Sequence, residues 1–225
     1  MLGIHKYVNL LKSIKKRFTF KVEWHGIKKK NILLRHDIDF SLDSAKLIAK
    51  KENELKIKST YFFMLSSNMY NVFSDNSQKI IFDIKKLGHK ISLHFDPSNY
   101  KEKNAGARTE IKTFQNLFKT QLDIISVHRP GNFLKKNNEM LGGCNHTYQD
   151  KYFKKIKYIS DSGGKDVTNE VSKLILDDEP LQLLIHPLWW TGYHENVTKT
   201  LDSILKKKSH LLKEEVRFNV KTYKG

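Results

Sequence analysis

Apolar residues in this chain fall into short unbroken runs, separated by stretches in which they recur every three or four positions. The run Ile-Leu-Leu-Arg-His-Asp-Ile-Asp-Phe, residues 32 to 40, predicts a buried strand. Ser41 then stands where a helix reaching to about Leu55 needs a cap for the unpaired N–H groups of its first turn. Ser59 to Leu65 predicts a second strand. Ile80, Ile84 and Leu87 repeat at helical spacing, and Gly88 follows where a helix end takes a left-handed residue. Lys90 to Phe95 predicts a third strand, and Ile111, Phe114, Phe118 and Leu122 the next helical stripe. Ile124 to His128, Ile156 to Ser160 and Leu181 to His186 complete the strand candidates.

Strands alternating with helices of ten or more residues build βαβ units and a parallel sheet. The expected fold is therefore α/β, a distorted (β/α) barrel of six to seven mainly parallel strands. No repeat, low-complexity tract or linker divides the chain, so residues 1–225 are read as a single domain whose chemistry-bearing core spans about 30–213. The polar residues sharpen this picture. Asp37, Asp39, His94, Asp96, His128, Arg129, Asp161 and His186 all lie at or just beyond strand C-termini, the face on which parallel α/β folds assemble their sites.

Composition excludes several classes. The lone cysteine, Cys144, can form no internal disulfide, which fits a reducing compartment. The first residues lack the apolar core of a signal peptide, and no run approaches the roughly 20 apolar residues of a membrane span. The expectation is a soluble, cytoplasmic protein with no membrane span. A formal charge of +17 raises nucleic acid as a partner, but only five of the 41 basic residues are arginine and the lysines are scattered. No nucleic-acid partner is expected; the basic surface instead favours an anionic or carrier-linked substrate.

The candidate chemistry starts with Asp37 and Asp39. Two positions apart on an extended segment, their side chains leave one face, so one carboxylate can hold a cation while the other takes a proton from water. The bland alternative is that either caps the following helix. His94 offers an imidazole ligand, and Asp96, two positions on, can face the same way. His128, Arg129 and Pro130 follow another strand and put a permanent cation near its mouth, able to pair with a carboxylate and depress its pKa or simply to sit in a surface salt bridge. His186, with an unperturbed pKa of about 6.5, suits a general acid for a departing amine. Trp189 and Trp190 can stack on a sugar or pack in the core.

These residues sit in five segments: Leu34-Arg35-His36-Asp37-Ile38-Asp39, Gly88-His89-Lys90-Ile91-Ser92-Leu93-His94-Phe95-Asp96, Ser126-Val127-His128-Arg129-Pro130, Ser160-Asp161-Ser162-Gly163-Gly164 and Leu184-Ile185-His186-Pro187. In kind and order they resemble the motifs of the polysaccharide deacetylase family, over residues 34 to 187. The resemblance implies Asp37 as base, Asp39 and His94 as metal ligands, Arg129 as the group orienting the base, Asp161 as support for the arginine or the acid histidine, and His186 as general acid. It implies a divalent cation, zinc first, and an amino-sugar substrate that loses an N-acyl group, N-acetyl first, in cell-surface polysaccharide biosynthesis. An N-formyl group, an O-acetyl ester and a non-catalytic carbohydrate-binding descendant are the alternatives. Trp189, Trp190 and Pro130 are the expected substrate contacts.

The sequence departs from the family pattern twice. A residue separates the two opening aspartates, which the family usually has adjacent. Ser98 stands where the family has a further metal-binding histidine, leaving His128, Asp96 or water to complete the ligand set; His128 is the expected third ligand.

Overall fold

A computed structural model describes residues 2–131, 138–192 and 196–225. Its centre is β2 (Asn31–Ile38), buried from Ile32 to Ile38. Such burial on both faces explains why the strand reads as an apolar run rather than an alternation. Parallel to it lie β3 (Thr60–Phe63), β4 (Lys90–Phe95), β5 (Ile124–Val127) and β6 (Asn145–His146) on one side. On the other side are β8 (Leu181–Ile185) and then β7 (Lys157–Ser160), while the two-residue β1 (Thr19–Phe20) pairs with the start of β2. All ladders are parallel. The sheet curls into a distorted half-barrel, with β6 and β7 at its two ends.

The linking helices follow local chemistry. Ser41 Oγ accepts from Ser44 N at 3.1 Å and opens α2 (Leu42–Glu54); Ser74 Oγ caps α3 (Asp75–Lys86) in the same way. Gly88 (φ 86°) takes the left-handed turn after α3. The next helix, α4 (Lys103–Phe118), stops four residues before Leu122, because Lys119 turns left-handed at φ 48° and its N–H closes the helix on Gln115 O. One face of each helix supplies core: Ile48 from α2, Ile81 and Ile84 from α3, Phe114 and Phe118 from α4 are all fully enclosed. Each such side chain withdrawn from water contributes about 1.5–3 kcal/mol. Ahead of the sheet, α1 (Ile4–Lys15) adds Tyr7, Leu11 and Ile14 to the same core.

A buried polar knot ties these layers beneath the strand ends. Glu52 of α2 accepts from Ser59 Oγ (2.6 Å) and Tyr61 OH (2.8 Å), pairs with His36 Nε2 (2.8 Å), and also accepts from Tyr7 OH. Burial opposes its charge, but His36 beside it outweighs that cost and holds the carboxyl at about 2. His36 thus faces α2, while its neighbours on β2 face the opposite way.

Candidate functional site

Beyond the C-terminal ends of β2, β4, β5 and β8 opens a cavity of about 330 Å³, lined among others by Asp37, Asp39, His94, His128, His186 and Trp189. A larger cavity of about 460 Å³ opens among α2, α3 and the C-terminal helix α5 (Val197–Asn219). Its lining is mostly hydroxyls, amides and apolar side chains; of its charged groups, Lys207 is paired with Asp43 at 3.1 Å and Lys208 is a lone amine, with no imidazole and no second carboxylate beside them among the described residues. The chemistry is therefore in the smaller cavity.

Asp37 is 3 % exposed, and Asp39 leaves the same face just past the strand. Asp37 Oδ2 accepts from Arg35 Nη2 at 2.9 Å, and its Oδ1 is buried with no hydrogen-bond partner among the described residues. Arg35 is wholly enclosed: Nη1 donates to Gln182 Oε1 (2.9 Å), Nη2 also to Tyr148 OH (3.2 Å), and the guanidinium lies over the Tyr148 ring at 5.0 Å. Burial raises the pKa of Asp37, but the Arg35 cation more than offsets it and the carboxyl lies below its ordinary range.

This corrects the expectation for Arg129. That residue lies past the end of β5, exposed at the rim of the cavity with φ 46°, and among the described residues it forms no ion pair. The cation against Asp37 comes instead from the same strand, two residues earlier. The signal was present, since Arg35 shares a strand face with Asp37 by the same spacing that joins Asp37 to Asp39. Gln182, a polar residue inside the apolar run Leu181 to Ile185, was the second clue to a buried partner.

Asp39, His94 and His128 converge. Asp39 Oδ1 lies 3.1 Å from His94 Nε2 and 3.4 Å from His128 Nδ1, and the two imidazole nitrogens are 3.1 Å apart. Asp39 Oδ1 is buried without a hydrogen-bond partner among the described residues. Tetrahedral zinc with bonds of about 2.0–2.1 Å spaces its ligands roughly 3.4 Å apart, so the donor types and separations fit such a cation. His94 Nδ1 lies 2.5 Å from Ser126 Oγ, a partner that fixes the ring and turns Nε2 toward the cluster. Asp96, the competing ligand, is committed elsewhere: its Oδ1 accepts from Ser98 N (2.9 Å) and Ser98 Oγ (2.7 Å) at the start of a short turn. Ser98 itself is exposed.

Across the cavity, Asp161 is fully buried and accepts from His186 N (3.0 Å) and Trp190 Nε1 (2.7 Å), and its Oδ1 lies 2.6 Å from His186 Nδ1. Of the two roles implied for Asp161, support of the histidine is the one its contacts serve. Burial lowers the pKa of His186, but the hydrogen bond and charge of Asp161, followed by the charges of Asp39 and Asp37, raise it to about 9. The imidazole is thus protonated at neutral pH, with Nε2 directed toward Asp39 Oδ2 at 3.8 Å.

The two tryptophans separate. Trp190, expected as a substrate contact, is fully buried beneath the site against Tyr7, because its indole N–H is needed by Asp161. Trp189 lines the cavity beside Phe40, with Nε1 buried and unpartnered among the described residues, and Pro130 lies on the rim.

No family model matches the chain, and no curated protein matches it. Solved structures do. It is similar to the chitin deacetylase of the fungal pathogen Colletotrichum lindemuthianum, at 13 % identity over 84 % of this chain and 86 % of that one, TM-score 0.48. A family 4 acetyl xylan esterase from Clostridium thermocellum, in complex with a cobalt ion, matches at 11 % identity over 80 % and 83 %, TM-score 0.43. The peptidoglycan deacetylase PdaC from Bacillus subtilis matches at 12 % identity over 86 % and 98 %, TM-score 0.41.

Proposed function

We propose that this chain hydrolyses the N-acyl group, N-acetyl first, of an amino sugar used in cell-surface polysaccharide assembly. The observation that carries the reading is a carboxylate and an imidazolium in one cavity with the three-donor cluster Asp39, His94 and His128, each held by its own buried counter-ion. Those three residues would hold a divalent cation, zinc first, which when bound polarises a carbonyl and makes water a stronger acid.

The chain's own groups supply the proton traffic. Asp37 is ionised at neutral pH; Arg35 fixes one carboxylate oxygen, and the other, free of protein donors, accepts a proton from water. His186 carries a proton and gives it to the departing amine, while Asp161 sets its ring and stabilises its charge. Trp189 offers a flat wall to the sugar. An N-formyl group or an O-acetyl ester would meet the same groups. A non-catalytic carbohydrate-binding descendant is the second reading; the cluster of His128 with Asp39 and His94 supports the hydrolase over it.

The test is release of acetate or formate from a panel of acylated amino sugars, free, phosphorylated and polymeric, by zinc-loaded protein. Release that disappears in Asp37→Asn while bound zinc is kept supports the reading; no release from any panel member by the metal-loaded wild type overturns it.

A further inference from the structure

We propose that Arg129 reads an anionic group, a phosphate or a carboxylate, on the amino sugar that enters the cleft. This rests on the hydrolase reading above. Each carboxylate of the site has its own counter-group: Arg35 for Asp37, His94 and His128 for Asp39, His186 and Trp190 for Asp161. Arg35 therefore releases Arg129 from the carboxylate with which its motif would pair it. What remains is a permanent cation lining the cavity mouth, exposed and without an acidic partner among the described residues.

Three further features fit this role. Arg129 has φ 46° directly before Pro130, a left-handed backbone that a non-glycine residue rarely holds, and such conformations concentrate at ligand clamps. Ser162 and Gly163 also line the cavity, and a side chain at Gly163 would meet nothing within 4 Å, so a charged substituent has open space there. The guanidinium matches phosphate or carboxylate oxygens two at a time, and a chain of net charge +17 draws anions toward it. A neutral sugar would use none of these.

Binding, measured without turnover, tests the inference. By calorimetry on zinc-loaded Asp37→Asn protein, the probes are N-acetylglucosamine, its 1-phosphate and 6-phosphate, and N-acetylmuramic acid, whose anion is a carboxylate. At least one anionic probe should bind about tenfold or more tightly than the neutral sugar. Adding Arg129→Met should bring that ratio to within about twofold, and Arg129→Lys should keep part of it because the charge survives while the paired geometry is lost. Preference for the phosphates alone, or for the carboxylate alone, identifies the group. Equal binding of all probes, a ratio unmoved by Arg129→Met, or no binding of any probe overturns the inference. Wild-type acyl release is scored separately. Turnover without anion preference sinks this proposal alone, and anion preference without turnover sinks the hydrolase reading alone.

Discussion

Arg35 and Asp37 face the same side of one strand, and their side chains meet 2.9 Å apart with the arginine fully enclosed and the aspartate nearly so. Breaking a buried pair by removing one partner strands the other charge. Arg35→Met should therefore destabilise the fold by about 3–5 kcal/mol, measured by urea unfolding. The pH dependence gives the sign. Asp37 has a folded pKa below its unfolded value, so its contribution is present above the ordinary carboxylate range and is lost as pH falls through the folded value. In metal-free Arg35→Met the largest influence opposing burial is gone, leaving only the weaker pull of His94 and His186, and the loss should begin at higher pH. Parallel stability–pH curves for the two proteins would refute the pairing.

His186 and Asp161 behave in the opposite sense. The folded pKa of His186, about 9, lies above its unfolded value, so its contribution is complete below about pH 6.5 and is lost as pH rises through about 9. Asp161→Asn removes the principal cause of the rise. An NMR titration of His186 in metal-free protein should show a clearly lower midpoint in the variant, and a midpoint unmoved would detach the histidine from Asp161.

The cluster at Asp39 makes a prediction about its third ligand. His128→Ala should weaken zinc binding by ~100-fold or more, whereas Asp96→Ala, which removes only the cap of a turn, should change it by less than about threefold. Ser98→His should give no comparable gain, since the third position is already supplied. Equal losses in His128→Ala and Asp96→Ala would mean that the cluster does not act as the site.

Trp189 and Trp190 are adjacent in sequence and should fail differently. Trp190→Phe deletes a hydrogen bond to a buried carboxylate and should cost about 1–3 kcal/mol of stability. Trp189→Ala should leave the unfolding midpoint nearly in place and raise KM. Matching losses of stability in both variants would place both rings in the core.

The strands were legible because β2, β4, β5, β7 and β8 are short apolar runs, and their polar residues stand at the ends where a parallel sheet gathers them. β1 and β6 were not, since two residues carry no period. The convergence of His128 on Asp39 and His94 followed from chain order: β4 and β5 are neighbours, with His94 opposite Ser126, so a residue just past β5 lies beside His94. Spacing alone placed Arg35 on the face of Asp37 without ranking it above Arg129. Both flank the site in sequence, and only the fully enclosed pocket made by Tyr148, Gln182 and Phe62 decides which guanidinium is driven onto Asp37.

The C-terminal helix has one buried residue, Thr200, and every residue from Ser209 onward is exposed. That half buries no side chain and adds to its backbone ladder only exposed local bonds, such as Arg217 with Glu214 and Asn219 with Glu215, a helix that over so few turns is marginal in water. Its amides should exchange with deuterium by local fraying, within the earliest time points, whereas those of β2, bonded between two neighbouring strands, should wait for the whole domain to open. One chain thus carries two clocks, and a protease supplied in trace would read the faster one, trimming the helix tip before it touches the site.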